Sequence, residues 1–249
     1  MNLFFRCFIS EVRKTKRLAI GKAHFLIPLC IAVVFLAYYA YTPWDAYSKI
    51  QAYFQVLGIG FPFLIGLFCV LLAEQELSAG QFQVMLSAPK RLPMFFSKLF
   101  LLILLGTFSI FLASVFFGVG YLYFFQASMV NSLFYIKAAL ILLGSNIFLY
   151  ILHFFLSLRF NKGISIGIGI IESLISALFL TGMGDDIWCY VPCAWSSRLV
   201  TYALTVANGQ ELHEADYNIA IFMCIFITVS AIILFSIWVC RWEGQNTSD

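Results

Sequence analysis

Six runs of apolar residues dominate this chain, at about 23–41, 52–73, 99–125, 133–158, 163–182 and 218–240. A helix rises 1.5 Å per residue and the hydrocarbon layer is about 30 Å thick, so roughly 20 apolar residues cross it. In lipid every backbone amide and carbonyl has to be bonded inside the protein, which leaves helices or closed barrels. Runs of this length select helices. The expected fold is all-α: a polytopic membrane protein with six transmembrane helices, forming a single transmembrane domain over residues 1–249. The scarcity of charge agrees, at 11% of residues against about 25% in soluble domains. The run at 163–182 is a test of the rule, because ISIGIGII alternates with the period of a strand. A lone strand in lipid leaves its amides unpaired, so a helix is expected, with Gly163, Gly167 and Gly169 giving a smooth face for close approach.

The cations orient the stack, since cytoplasmic segments hold an excess of Lys and Arg. If both termini are cytoplasmic, the inner segments carry Arg6, Arg13, Lys14, Lys16, Arg17 and Lys22, then Lys90, Arg91 and Lys98, then Arg159 and Lys162, then Arg241. Only Lys49, Lys137 and Arg198 of the 15 fall outside. Both termini are therefore expected inside. The leader of residues 1–22 is too long and mixed for a cleaved secretion signal and is expected to be retained. Segment 183–217 becomes an acidic extracellular loop holding Asp185, Asp186, Glu211, Glu214 and Asp216. Its stretch IWCYVPCAWSSRLVTYALTV reads as short interfacial helices, with Trp188, Tyr190 and Trp195 at headgroup level. Pro192 interrupts any continuous helix there, and a seventh span is the alternative. No basic face interleaved with aromatics points to nucleic acid.

The cytoplasmic loop 74–98 breaks the apolar pattern, and its first part reads AEQELSAGQFQVMLSAPKRLP over 73–93. Glu74 and Glu76 close the second span, Gly80 permits a turn, and Phe82, Val84 and Met85 give a short helix its packing side. Pro89 ends that helix. Such a shape suits docking into a groove on a partner. The sequence has no G-x-x-x-x-G-K-S/T loop to cradle nucleotide phosphates.

The succession Glu74, Glu76, Gly80, Leu86, Pro89, Arg91 and Lys98 resembles the permease subunits of type-2 ABC (ABC-2) exporters. FISEVRKTKR, with Glu11 and Lys14 on one helix face, is similar to that family's N-terminal amphipathic elbow helix, here expected in the cytoplasmic segment 1–22. The small size, the Phe-rich spans and the outer WCYVPCAWSSR most resemble lantibiotic-immunity permeases of Gram-positive bacteria. Gln81 departs from the threonine frequent after the glycine. The resemblance implies a non-enzymatic permease in the bacterial cytoplasmic membrane, with no cofactor of its own. ATP and Mg would sit on a cytoplasmic ABC ATPase dimer, beside a second, paralogous permease chain, with an antimicrobial peptide as substrate. It also implies that Glu74, Glu76, Gly80, Phe82, Leu86, Pro89 and Arg91 couple the spans to the ATPase.

Single residues extend this reading. Glu172 lies mid-membrane, where a carboxylate costs about 2.5–3.5 kcal/mol on insertion scales. Asn146 is at similar depth and is a candidate partner. A structural pair and a role in the substrate path both fit. Asp185, Asp186, Trp188 and Trp195 are candidate outer contacts for a substrate, because an acidic surface steers a cationic peptide. Cys189 and Cys193, four residues apart, suit either a disulfide or two interfacial thiols. His24 and His153 are expected near inner membrane ends and His213 in the outer loop, and with no second ligand at helical spacing they imply no metal. Other cargoes, such as a drug or a lipid, fit the same chain. An intramembrane protease would require acids and histidines converging inside the bilayer; the paired E-E-x-x-x-R arrangement is absent, and no histidine is expected in a motif at matching depth. A sensor or anchor without an ATPase is the third class.

Overall fold

The computed structural model describes residues 3–16, 19–125, 130–210 and 214–244. Glu211, His213 and Arg17 lie outside the described residues. The described chain is helical throughout: α1 (Leu3–Thr15), α2 (Ala19–Tyr41), α3 (Ala46–Ser78), α4 (Gln83–Leu86), α5 (Arg91–Phe125), α6 (Leu133–Arg159), α7 (Lys162–Leu178), α8 (Pro192–Ala207) and α9 (Glu214–Arg241), with two 3-10 turns at Gly182–Gly184 and Trp188–Tyr190. Five helices, α2, α3, α5, α6 and α9, are long and apolar enough to cross a membrane. The expected run at 163–182 is helical, but α7 stops at Leu178 after 17 residues, about 26 Å of rise. Its end is fixed by Arg198, which donates from Nε to the Phe179 carbonyl (2.5 Å) and from Nη2 to that of Thr181 (3.1 Å). The Phe179 carbonyl lies just past the helix end, where carbonyls have no intrahelical partner, and that of Thr181 also accepts from the Gly184 amide at 3.1 Å.

The centre of the bundle is α3, which packs against α6, α7 and α8, while α2 lies on α5 and α5 on α6. α7 reaches α3 with the face carrying Ser165, Gly169 and Ser176, all buried. A Cβ on Gly169 would sit 2.8 Å from the Pro62 carbonyl oxygen and 3.1 Å from the Phe63 Cα. Of the three expected contact glycines only Gly169 has this role; Gly167 meets nothing within 4 Å and Gly163 only its own Asn161. The helical period of 3.6 places 165, 169 and 176 together and turns 163 and 167 away.

Two prolines inside spans create the bundle's polar fastenings. A proline lacks the amide that would bond the carbonyl four residues back. For Pro28 that carbonyl belongs to His24, and Ser109 Oγ of α5 donates to it at 2.7 Å. For Pro62 it belongs to Gly58, and Ser196 Oγ of α8 donates to it at 3.1 Å. Each proline thus exposes an acceptor that a serine on a neighbouring helix satisfies, as lipid requires.

Segment 183–207 differs from expectation. Trp188 and Trp195 are fully buried, packed with Ala194, Leu199 and Ala220, and the Trp195 indole donates to the Cys189 carbonyl at 2.8 Å. They are core residues, not headgroup anchors; Tyr190 alone of the three is exposed. α8 is one 16-residue helix begun by Pro192 at its first turn, a position where its missing amide costs nothing. Cys189 lies in the preceding 3-10 turn, so it and Cys193 do not share a helix, and both are free thiols.

Replacing Ser109 by Ala should cost about 0.5–2 kcal/mol of stability, the usual worth of such a bond between membrane helices. In a Pro28→Ala background, where the His24 carbonyl regains its own amide, the same change should cost close to nothing. Thermal unfolding of the four purified proteins checks the cycle.

Candidate functional site

At the end of the bundle where α3 stops and α5 starts, four charged side chains from three helices meet. Lys98 Nζ of α5 donates to Glu11 Oε2 of α1 at 2.5 Å and to Glu76 Oε1 of α3 at 2.7 Å. Lys14 Nζ of α1 donates to the same Glu76 oxygen at 2.8 Å and to Glu11 Oε1 at 3.0 Å. Glu11, Glu76 and Lys98 are buried, and Lys14 is the member that reaches solvent. The two acids and two bases alternate, so each charge has opposite neighbours and the sum is zero. That arrangement is the condition for keeping ions out of water. Burial alone would lower the Lys14 pKa, but hydrogen bonds and charge from Glu76 and Glu11 outweigh it and hold the ammonium above its ordinary range. Lys14 therefore stays charged through neutral pH.

Beyond this cluster the chain turns through three consecutive positive-φ residues, Gly80 (145°), Gln81 (50°) and Phe82 (63°). Side-chain-bearing residues in the left-handed region cost roughly 1–2 kcal/mol each, and packing holds them there. The Phe82 ring is buried against Trp242, whose ring also meets Phe95 and Trp238, at centroid distances of 5.3, 5.6 and 5.2 Å. Arg91 Nη1 donates to the Trp242 carbonyl at 2.6 Å. The turn and α4 are thus pinned to the start of α5 and to the end of α9.

The residues of this loop, the expected coupling set among them, face different ways. Glu76, Phe82 and Met85 point inward and hold the loop, whereas Gly80, Val84, Pro89 and Lys90 are exposed. Val84 belongs to the outward set, 62% exposed rather than packed, because a four-residue helix has only one inner side. Leu86 and Arg91 are half-buried. Glu74 makes an outer ion pair with Lys162 of α7 at 3.3 Å. Sequence reading placed Glu11 with Lys14 on one helix face and Glu76 and Lys98 at the two ends of the loop, but missed the meeting of the two pairs. The signal was an acid on each of two segments beside a lysine opening the third.

A second polar group lies between α6 and α7. His153 of α6 is buried, with Nε2 2.7 Å from Glu172 Oε2 and Nδ1 3.1 Å from Ser165 Oγ, both on α7. His153 Nε2 and the Glu172 carboxyl group thus share one hydrogen bond. Asn146 is not the partner: its Nδ2 donates to the Leu142 carbonyl at 2.7 Å. The two residues are seven apart on one face of α6, about 10 Å in depth, and α7 meets the His153 end. His153 therefore faces the interior and not the headgroups, and His24 is likewise buried, against Phe68. Serine, histidine and glutamate in contact invite comparison with a hydrolase. Ser165 is fully buried, however, and a Cβ on Gly66 of α3 would lie 3.0 Å from its carbonyl oxygen and 3.1 Å from His153 Nδ1. No substrate bond has room to enter. The group continues toward the opposite end through Ser176 and Ser197 (3.2 Å), Gln55 and Thr201 (3.1 Å), and Tyr47 and Thr205 (3.0 Å).

Of the expected outer contacts, Asp185 pairs with Arg198 Nη2 at 2.7 Å and Asp186 is exposed, while the buried Trp188 and Trp195 present no surface to a substrate.

Lys98→Met should destabilise the protein by about 3–5 kcal/mol, because it leaves buried carboxylates uncompensated. Adding Glu76→Gln should cost less than the two separate changes combined, since Glu11 and Lys14 then remain as a matched pair. Unfolding of purified single and double variants measures the difference.

A family profile described as ABC-2 family transporter protein matches residues 7–178, more than half of the chain. No curated protein and no solved structure matches it.

Proposed function

This chain belongs to the ABC-2 transporter family, and from that membership we propose that it is the permease of an exporter that removes an antimicrobial peptide of the lantibiotic type from the producer's own membrane. It works with a separate ABC ATPase dimer, which binds ATP and Mg, and with a second permease chain of related sequence. The observation that carries the coupling half of this reading is the buried cluster of Glu11, Lys14, Glu76 and Lys98. It ties α1, α3 and α5 into one rigid corner directly behind an exposed four-residue helix. In this reading α1 is the elbow helix, the α3–α5 loop is the cytoplasmic coupling element, and Gly80, Val84, Pro89 and Lys90 form its contact surface. A loop so pinned can pass a push from a partner into two spans without deforming first.

Six crossings with both termini in the cytoplasm complete the proposal. The cation distribution supports it, and α7 is the short crossing, continued by the Arg198-bound turn. Glu172, paired with His153, is assigned to the moving interface between α6 and α7. The cargo rests on resemblance alone.

Three measurements test the proposal. A cysteine placed at Val84, in a background lacking the other exposed thiols, should react with a membrane-impermeant maleimide only in inside-out vesicles; labelling of intact cells refutes the topology. Coexpression with its ATPase and second permease should raise lantibiotic tolerance, and Glu172→Gln should lower that tolerance several-fold while leaving the complex assembled. Unchanged tolerance on coexpression removes the cargo, and unchanged tolerance in the variant removes the role of Glu172.

A further inference from the structure

α9 is the least embedded of the five long helices, and a groove runs along its contact with α6. At the N-terminal ends of both helices it opens into a cavity of about 1010 Å³, whose polar lining is Lys137, Asn131, Gln210, Asn218, Tyr202 and Tyr217. Farther along lies an apolar trench of about 350 Å³ between Gly144, Ile221, Ile225 and Val229. Ile141 and Tyr217 border both, so the wide polar mouth and the narrow apolar trench are continuous. A third opening of about 360 Å³, lined by Leu152, Phe155, Leu234 and Trp238, follows on the same side. From Lys137 to Leu152 the rise is about 22 Å.

The groove is therefore amphipathic along its length, with one cation and three amides at the membrane face and hydrocarbon below. We propose that it is a binding site for an anionic phospholipid, with the phosphate at Lys137 and the amides and one acyl chain lying over Gly144. A lysine is a point charge suited to phosphate, and amide N–H groups and tyrosine hydroxyls bond its free oxygens. The acyl chain gains little by leaving other lipid tails, which are as apolar as the trench. Selectivity therefore resides in the headgroup. A second copy of the chain fits less well: a two-fold contact across this mouth would bring Lys137 toward its own counterpart, and among the described residues no acid lines the cavity. The site does not depend on the cargo proposed above.

Native mass spectrometry of the full-length protein, titrated with phosphatidylglycerol or phosphatidylcholine, tests the site. Phosphatidylglycerol should be retained more tightly. Lys137→Ala should weaken it about fivefold, the weight of one lysine at a membrane surface, and leave phosphatidylcholine unchanged. Gly144→Leu should reduce retention of both, because the new side chain grows into the trench; a Cβ there meets no protein atom within 4 Å, and an unchanged unfolding temperature confirms the fold. Equal retention of the two lipids overturns the proposal, as does retention unaffected by Gly144→Leu. Displacement of lipid by inorganic phosphate would assign the mouth to a free anion, and loss of a dimer in Gly144→Leu would assign the groove to contact between copies; either result overturns it.

Discussion

Glu11, Lys14, Glu76 and Lys98 are charges that an apolar bundle can accommodate only together. Glu11, Glu76 and Lys98 have left water and Lys14 has left it in part, and each is compensated by two of the others at 2.5–3.0 Å. The pairing fixes where the N-terminal helix lies, because the buried Lys98 and Glu76 meet Glu11 and Lys14 only when α1 crosses to the junction of α3 and α5. It also sets the register of α5 against α3, since Lys98 has no alternative acid at that depth among the described residues. The turn that follows, with two left-handed side-chain-bearing residues, is tolerable because its base is already fixed. Ion pairs of this kind seldom add net stability over an apolar substitute. What they contribute here is a unique position for three helices.

Away from that corner the same principle operates with weaker groups. α3 is the hub, and small residues along it allow neighbours to approach to backbone distance: Gly58 under Ser197, Gly66 under Ser165, and the Pro62 carbonyl under Gly169. The two prolines each release a carbonyl, and the serine that takes it lies on the helix packed alongside. Packing and hydrogen bonding thus specify the same neighbours, which is the agreement between levels that defines a well-specified fold.

The helical class and the long spans were legible because hydropathy and the demand for backbone pairing leave little freedom in lipid. The succession Glu74, Glu76, Gly80, Pro89 and Lys98 carried a resemblance to ABC-2 permeases, and the family profile over residues 7–178 bears that family out. Depth and facing were not legible. Trp188 and Trp195 look like interfacial anchors by type, yet their loop folds back on α9 and buries both. Glu172 was paired by depth counting with Asn146, but a count along one helix does not tell how far its antiparallel neighbour is shifted. Gly163, Gly167 and Gly169 look equivalent in sequence, and only helix phase separates the one in contact from the two that are not. The prolines carried a signal that goes unread until the serines opposite them are known, because the partner is remote in sequence.

Trp242 stands where three otherwise separate parts of the chain come together. Its ring touches Phe82 in the turn, Phe95 at the foot of α5 and Trp238 in the last turn of α9. A displacement of the loop tip consequently has a short mechanical route into α9 that bypasses the bundle interior. α9 is also the least embedded wall of the groove along α6, and the tryptophan anchors the end of that helix remote from the groove's polar mouth. Edge-to-face and tilted ring contacts at this one tryptophan join the loop, the foot of α5 and the last turn of α9 into a single packed unit.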